Sequence, residues 1–337
     1  MAAAVISRRS LAGLTAAAFA LPEAARATDD APAIRVETLP SQNTPEAVGV
    51  ATYLPPGYDA KASRPYPLLL LLHGGNGREQ DLGRFVPAID RAMRERRLPP
   101  FVIATPGAGR SLYMDFRDGS QRWETFILTE LLPHLRRTLN ISTDQKATFV
   151  GGWSMGGLGS LRLAFKHPDL FGAVAALEPA VEPALAWDDI GPRVKFWRSD
   201  EVYSTIFGAP VDTGYWAANN PASIAAQNPE RLLGLNIYLE VGDQDMLYLN
   251  QGVEFLHRIL FDAGLGHEYR LVRGAEHVGP SLEPRLLDAL GFIGRQIASP
   301  DWIDDQVLRT RAVMDDQKRA AGLEVETVDP RRIRGSQ

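Results

Sequence analysis

The chain has 337 residues, a formal net charge of −5 and no cysteine. The missing cysteine excludes disulfides, thiolate catalysis and Cys-ligated zinc, and the mild acidity without a basic cluster argues against a nucleic-acid partner. The six histidines are scattered, and none forms the H-x-x-H or H-E-x-x-H pair of a zinc site. We therefore expect no metal and no cofactor, and the length suits one large α/β domain.

The first residues, 1–27, have the pattern of an export signal. Arg8 and Arg9 precede an alanine-rich apolar stretch that is too short to span a bilayer, and a small-residue site at Ala25 to Ala27 suits cleavage. An ordinary secretory signal also begins with positive charge, but paired arginines before a weakly apolar segment favour the twin-arginine route. We expect an exported protein, periplasmic or extracellular, with no membrane span after cleavage.

Beyond the signal, apolar runs bounded by turns alternate with helical patterns. The predicted strands are Val48 to Leu54, Tyr66 to Leu72, Phe101 to Thr105, Ala147 to Val150, Ala173 to Leu177, Leu235 to Val241 and Glu268 to Val272. The predicted helices are Gln80 to Arg97, Trp123 to Leu139, Gly156 to Lys166, Gln251 to Ala263 and Glu283 to Ile297. This alternation predicts an α/β domain over residues 28–300, with a mostly parallel central sheet and helices on both faces.

Two segments fall outside this alternation. The segment from Glu182 to Asn228 is predicted as an irregular, aromatic-rich insertion after the sixth strand, where such folds often place a wall over the active site. Its aromatic residues either line that wall or pack the insertion onto the body; they are Trp187, Phe196, Trp197, Tyr203, Phe207, Tyr215 and Trp216. Residues 301–337 are predicted as a C-terminal helix, from Trp302 to Ala321, and a polar tail.

The most informative motif is Gly151-Gly152-Trp153-Ser154-Met155-Gly156-Gly157, which joins a predicted strand to a predicted helix. A serine in this position projects its hydroxyl from a sharp strand-to-helix turn, and small residues two positions away on either side let the helix pack close to the strand. A G-x-S-x-G pattern also arises by chance. Its setting, with partners downstream in the order Ser, Asp, His, predicts that Ser154 is the nucleophile of an α/β-hydrolase.

A serine hydroxyl needs a histidine to accept its proton and a carboxylate to orient that histidine. His277 is the best candidate, because it lies in a loop after the last predicted strand. The loop after the preceding strand carries Asp243 and Asp245. We favour Asp245, three residues after the strand-ending Gly242, and interpret Asp243 as a turn residue that bonds its own backbone. The remaining histidines compete less well: His73, His134, His167, His257 and His267.

The tetrahedral intermediate of ester hydrolysis also needs backbone donors for its negative charge. Met155, the residue after the nucleophile, is the first predicted donor. The second is expected in the glycine-rich loop after the Leu68 to Leu72 run, where we favour Gly75 and keep Gly74 and Asn76 as alternatives. A phosphate loop is disfavoured because no G-K-[ST] sequence follows.

Taken together, four motifs resemble the putative-esterase family of α/β-hydrolases over roughly Ala47 to Ile297. They are Tyr53-Leu54-Pro55-Pro56-Gly57-Tyr58, Leu70-Leu71-Leu72-His73-Gly74-Gly75, Trp123-Glu124-Thr125-Phe126 and Gly152-Trp153-Ser154-Met155-Gly156-Gly157. That family includes S-formylglutathione hydrolases, feruloyl and acetylxylan esterase modules, and mycolyltransferases. The resemblance implies a cofactor-free serine enzyme on a small-molecule or carbohydrate ester, with Tyr113, Trp123 and Trp153 near the substrate.

The sequence departs from the family at two points. Val278-Gly279-Pro280 follows His277, where many feruloyl and acetylxylan members carry an aromatic residue, and the lack of cysteine is unlike many formylglutathione hydrolases. We expect a serine carboxylic ester hydrolase that forms an acyl-enzyme on Ser154. Acyl transfer to a sugar or other alcohol is the main alternative, and a peptidase or a non-catalytic binding protein on the same fold is a lesser one.

Overall fold

The computed structural model describes residues 33–196, 200–299 and 304–325. Its strands are β1 (Ala33–Leu39), β2 (Val48–Leu54), β3 (Leu68–Leu72), β4 (Val102–Pro106), β5 (Thr148–Trp153), β6 (Ala173–Leu177), β7 (Asn236–Gly242) and β8 (His267–Val272). Its helices are α1 (Leu82–Arg94), α2 (Trp123–Phe126), α3 (Leu132–Thr138), α4 (Met155–Lys166), α5 (Pro192–Lys195), α6 (Asp200–Phe207), α7 (Thr213–Ala217), α8 (Pro221–Gln227), α9 (Leu249–Asp262), α10 (Leu282–Ile297) and α11 (Asp305–Ala320). The predicted export signal and Trp197 lie outside the described residues, as does most of the predicted polar tail.

The described strands form one sheet in the order β1-β2-β4-β3-β5-β6-β7-β8. The pairs β1 with β2 and β2 with β4 are antiparallel, and every pair from β4 to β8 is parallel. The carboxyl ends of β3, β5, β6, β7 and β8 therefore meet along one edge, where the loops that follow them bring their side chains together. The predicted mostly parallel sheet is confirmed.

Strand β3 shows why helices cover both faces of this sheet. All five of its leucines are buried, and successive side chains of a strand point to opposite faces. Leu68, Leu70 and Leu72 join the core beneath α3, α4, α8 and α9, whereas Leu69 and Leu71 join the core beneath α1 and α10. Each leucine of β3 thus contributes to the apolar core on one face of the sheet or the other.

Two elements outside the insertion show the clearest differences from the prediction. Strand β1 was not predicted, because it is an edge strand with almost every side chain exposed and so lacks a buried apolar signal. The single helix predicted from Trp123 to Leu139 is present as α2 and α3 with a π-helical turn, Ile127–Leu131, between them. Pro133, at the start of α3, lacks the amide hydrogen that a regular helix would use there.

The insertion after β6 consists mainly of the short helices α5 to α8. It has its own apolar cluster, in which Trp216 is fully buried and Tyr203 stacks on Phe207 at 5.5 Å between ring centroids. Phe196 differs from these rings, since 61% of it is exposed. Most of the described aromatic residues therefore pack the insertion, as one of the two sequence interpretations expected.

Helix α11 falls within the segment predicted as the C-terminal helix, and none of its residues is buried. Among the described residues, no helix is both long and apolar enough to cross a membrane.

Candidate active site

Ser154 occupies a strained turn between β5 and α4. Its backbone has φ 55° and ψ −118°, which a residue with a side chain rarely adopts and which marks functional turns. A Cβ atom added to Gly152 or to Gly156 would lie within 3.0 Å of the Leu72 carbonyl oxygen. The two glycines of the motif are thus what allows α4 to approach β3 while the turn holds the serine side chain outward.

His277 links Ser154 to Asp245. Its Nε2 lies 3.1 Å from Ser154 Oγ, and its Nδ1 lies 2.9 Å from Asp245 Oδ2. Because the carboxylate only accepts, the proton belongs on Nδ1, which leaves the Nε2 lone pair facing the hydroxyl. Both His277 and Asp245 are buried, and Ser154 remains partly exposed. The geometry is that of a base poised to take the serine proton.

The two aspartates after β7 have different partners. Asp245 uses Oδ2 for His277, while its Oδ1 accepts the backbone amide of Leu247 at 2.8 Å. Asp243 Oδ1 accepts the backbone amide of Gly274 at 2.7 Å, so it braces the loop before His277 and not the imidazole. The structure thus brings Asp245 to His277, and Asp243 bonds a neighbouring loop where a bond to its own backbone was expected.

Two further side chains hold the histidine loop, and the sequence analysis did not select them. Glu276 Oε1 accepts the backbone amides of Met246 and His277, both at 2.7 Å, which ties the loop after β8 to the loop after β7. Arg285, from α10, donates through Nη1 to the Glu276 carbonyl oxygen at 3.1 Å. An acidic residue directly before the candidate histidine was the signal available in the sequence.

A second buried carboxyl group, Glu178, lies beside this arrangement. One oxygen of Glu178, one of Asp245 and a nitrogen of His277 all lie within 4.8 Å of one another. Burial raises the pKa of Glu178 to about 7, although the charges of His277 and Arg285 oppose that rise. Burial lowers the pKa of His277, but the hydrogen bond to Asp245 and the charge of Glu178 outweigh it and leave that pKa raised.

Donor atoms this close together could also suggest a metal site. However, His277 Nδ1 and Asp245 Oδ2 are 2.9 Å apart, a hydrogen-bond distance, whereas two ligands of a tetrahedral zinc ion are separated by about 3.3 Å. This spacing favours a direct hydrogen bond between the two side chains over joint coordination of a zinc ion.

The predicted oxyanion donors lie on two elements. Met155 is the first residue of α4, so its amide has no partner four residues back in the helix. Gly75 lies in the exposed loop after β3, where its amide makes no hydrogen bond to any described residue and an added Cβ would meet nothing within 4 Å. Gly74 is instead buried against Trp153, which leaves Gly75 the more open of the two glycines.

His73 fixes the shape of this loop. Its Nε2 accepts the Ala108 amide at 2.9 Å, so its Nδ1 carries the proton and donates to the Gly74 carbonyl oxygen at 2.7 Å. Burial lowers the pKa of His73, which keeps the ring neutral near pH 7. Tyr113 OH donates to the His73 carbonyl oxygen at 3.1 Å. His73 thus supports the predicted oxyanion loop.

The three residues predicted near the substrate have different surroundings. Tyr113 is fully buried, which places it behind the oxyanion loop and does not favour direct substrate contact. Trp153 is partly buried against Phe85, with 5.2 Å between the ring centroids. Trp123 is also partly buried and packs against the clusters of both the body and the insertion. Both tryptophans keep some exposed surface, and Trp153 directly precedes Ser154.

A protein-family model described as putative esterase matches residues 41–281 of the chain. The chain belongs to the putative esterase family. The resemblance inferred from its motifs is therefore confirmed, and the family supports hydrolase activity on esters.

Three similar proteins are informative. Esterase MT1326 of Mycobacterium tuberculosis is 28% identical over 270 residues, which are 73% of this chain and 56% of that protein. The chain thus spans about half the length of that curated relative. A solved ferulic acid esterase aligns with a TM-score of 0.65 at 23% identity over 79% of this chain and 98% of its own. An S-formylglutathione hydrolase from Agrobacterium tumefaciens aligns with a TM-score of 0.64 at 18% identity. The alignment covers 79% of this chain and 96% of that hydrolase. These structures show the α/β-hydrolase fold, as predicted.

Proposed function

We propose that the protein is a serine carboxylic ester hydrolase with Ser154 as nucleophile, His277 as base and Asp245 as the carboxylate that orients His277. The observation that carries this proposal is the unbroken chain of hydrogen bonds from Ser154 Oγ through the imidazole to Asp245 Oδ2. These hydrogen bonds begin at Ser154, which lies in a strained turn, and the protein is a member of an esterase family.

The geometry supports a two-step reaction. In the first step, Ser154 Oγ attacks the ester carbonyl carbon while its proton passes to His277 Nε2. The amides of Met155 and Gly75 would donate to the oxyanion, and the imidazolium then gives its proton to the departing alcohol. In the second step, His277 Nε2 takes a proton from water as the water oxygen attacks the acyl carbon. The bond between that carbon and Ser154 Oγ then breaks, the imidazolium returns its proton to Oγ, and the acid is released.

An ester panel tests this proposal. Purified protein without residues 1–27 is assayed on p-nitrophenyl esters from acetate to long acyl chains, and on feruloyl and acetyl-sugar esters. Ser154→Ala should lower kcat by about 10⁴- to 10⁶-fold, because members of such a triad act as a unit. Ser142→Ala, in the loop before β5, is the matched serine control and should keep wild-type turnover.

The panel also separates the alternatives. Near-normal turnover by Ser154→Ala would contradict the proposal, and no turnover of any ester by the wild type would favour a binding protein. Ester exchange with an added alcohol, in place of release of the acid, would instead identify an acyltransferase that uses the same three residues.

We further propose that the protein is exported after loss of residues 1–27, through the twin-arginine route. The support is the paired Arg8 and Arg9 before a short apolar stretch and the small-residue site that ends at Ala27.

A further inference from the structure

Glu178 is the first residue after β6, and its backbone is strained. It has φ 39°, which is unusual for a residue with a side chain, and its amide donates to the carbonyl oxygen of Glu240 on β7. Its side chain has no exposed surface. A buried carboxylate on a strained backbone needs compensating contacts, because burial penalises its charge.

Arg285 supplies only part of that compensation. It donates through Nη2 to Glu178 Oε2 at 2.8 Å, through Nε to Glu240 Oε1 at 2.7 Å and through Nη1 to the Glu276 carbonyl oxygen at 3.1 Å. Glu178 Oε1 is buried and has no hydrogen-bond partner among the described residues. The guanidinium of Arg285 is thus shared between Glu178 and Glu240. It bonds Glu178 through Oε2 and leaves Glu178 Oε1 without a hydrogen bond from the described residues.

The carboxyl group of Glu178 lies beside the reaction site. An oxygen of Glu178 lies within 4.8 Å of an Asp245 oxygen and a His277 nitrogen. The ionisable groups around the imidazole come from four elements. They are Asp245 after β7, Glu178 after β6, Arg285 on α10 and Glu276 in the loop after β8, with Glu240 on β7 acting through Arg285.

We propose that Glu178 is a second carboxylate of the active site, a positioning residue that stabilises the imidazolium of His277 beside Asp245. The inference rests on the proposed function. When the Ser154 Oγ–H bond breaks, its proton forms a bond to His277 Nε2, and the new positive charge lies near two carboxylates. When that proton moves on to the departing alcohol, the imidazole is neutral again and no other group needs to change its proton.

The effect of Glu178 on the pKa of His277 has the direction that this role requires. The charge of Glu178 raises the pKa of His277, and it outweighs the opposing effect of Arg285. Burial raises the pKa of Glu178 to about 7, and the charge of His277 opposes that rise, so each group affects the titration of the other.

The test compares Glu178→Gln with Glu240→Gln in the pH profile of kcat/KM. Both variants remove one buried carboxylate from Arg285, but only Glu178 lies in the cluster with His277. Glu178→Gln should shift the midpoint of the acid limb down by about 0.5 to 1 pH unit, because an anion near the imidazolium is lost. Its kcat at the optimum should fall about 3- to 10-fold, since the base is weaker. Glu240→Gln should keep the wild-type midpoint.

A purely structural role would give a different result. It would lower turnover in both variants without moving either midpoint, or would move both midpoints equally, and either outcome would overturn the inference. If Glu178→Gln does not fold, the double variant Glu178→Gln, Arg285→Gln removes the whole ion pair. Its midpoint should still lie below that of the wild type, because the effect of Glu178 exceeds that of Arg285.

An NMR titration of the His277 ring in the Ser154→Ala protein keeps this inference separate from the proposed function. A lack of ester turnover in the wild type would contradict only the proposed function. The titration needs no turnover and tests the role of Glu178 by itself. Adding Glu178→Gln should lower the pH at which the ring titrates. An unchanged titration would overturn the role assigned to Glu178 even in an active esterase.

Discussion

At the scale of single residues, the side chains of the candidate site are held in place by several hydrogen bonds each. Asp245 gives one oxygen to His277 and the other to the backbone amide of Leu247, so its carboxylate has little freedom to turn away. Glu276 fixes the loop that carries His277, because its Oε1 accepts the backbone amides of both Met246 and His277. The His277 ring is therefore held in one orientation, as its proposed role as base requires.

The two aspartates after β7 are expected to differ sharply in their effect on activity. Asp245→Asn should lower kcat by about 10⁴-fold, because the amide favours the wrong imidazole tautomer. Asp243→Asn should lower it by less than about 10-fold, since Asp243 contacts only a loop amide. Steady-state kinetics on one ester measures both, and a larger loss in Asp243→Asn would reassign the carboxylate.

The pH dependence of kcat/KM should report His277. The reaction needs the neutral imidazole, and the pKa of this group in the folded protein is raised above its ordinary value of 6.5. Activity should therefore be full at alkaline pH and fall as the pH drops through a midpoint above 6.5. A midpoint clearly below 6.5 for the wild type would contradict the electrostatics described for this site.

Sequence patterns were sufficient to select Ser154, His277 and Asp245, and the structure brings these three together; their roles stay a prediction. Each lies in a short motif at the end of a predicted strand. Glu178 and Arg285 were missed, because their proximity depends on how β6 and α10 pack, and no local pattern encodes that. The burial of Tyr113 was missed for the same reason.

At the scale of elements, the contact between α4 and β3 determines where the serine turn can lie. Gly156 is on the first turn of α4, and the space that a side chain would need is occupied by backbone atoms of Leu72 and His73. Backbone atoms cannot be moved as cheaply as the end of a flexible side chain. The same contact therefore affects both stability and the position of the nucleophile.

Gly156→Ala should lower the free energy of unfolding by about 3 kcal/mol or more, because the new methyl group clashes with backbone. Gly291→Ala, within α10, is the matched control. Its Cβ would meet only Arg295 Nη1, at 3.9 Å, so it should be neutral or gain about 0.5 to 1 kcal/mol. Denaturant unfolding measures both variants, and equal stabilities would contradict the packing described.

The elements themselves were predictable to different degrees. Strands β2 and β6 are rich in apolar residues and were predicted with their observed bounds. Strand β1 was missed because its exposed edge gives no hydrophobic pattern. The insertion was predicted as irregular, yet its short helices are held by packing among aromatic residues, which a local pattern does not reveal.

At the scale of the whole molecule, the parallel sheet brings distant segments to one edge. Ser154, Asp245 and His277 follow β5, β7 and β8, and they meet because these strands run in the same direction. The aromatic insertion follows β6, between the strands that supply the serine and the aspartate. The insertion therefore begins at the same edge of the sheet as Ser154.

Export should depend on the paired arginines. Replacing Arg8 and Arg9 by lysines in the full chain should cut the amount of processed protein outside the cytoplasm by about 10-fold, because the twin-arginine pair would be lost while positive charge is kept. Cell fractionation with N-terminal sequencing measures this. Unchanged export of the variant would favour the ordinary secretory route.

The central claim is that Ser154 is a nucleophile activated by His277. Its most direct test treats the purified protein with a fluorophosphonate and locates the adduct by mass spectrometry. We predict one adduct on Ser154, with labelling abolished in Ser154→Ala and slowed at least about 10³-fold in His277→Ala, since the hydroxyl then lacks its base. An adduct on another residue, or no adduct in a protein that still hydrolyses esters, would contradict the account.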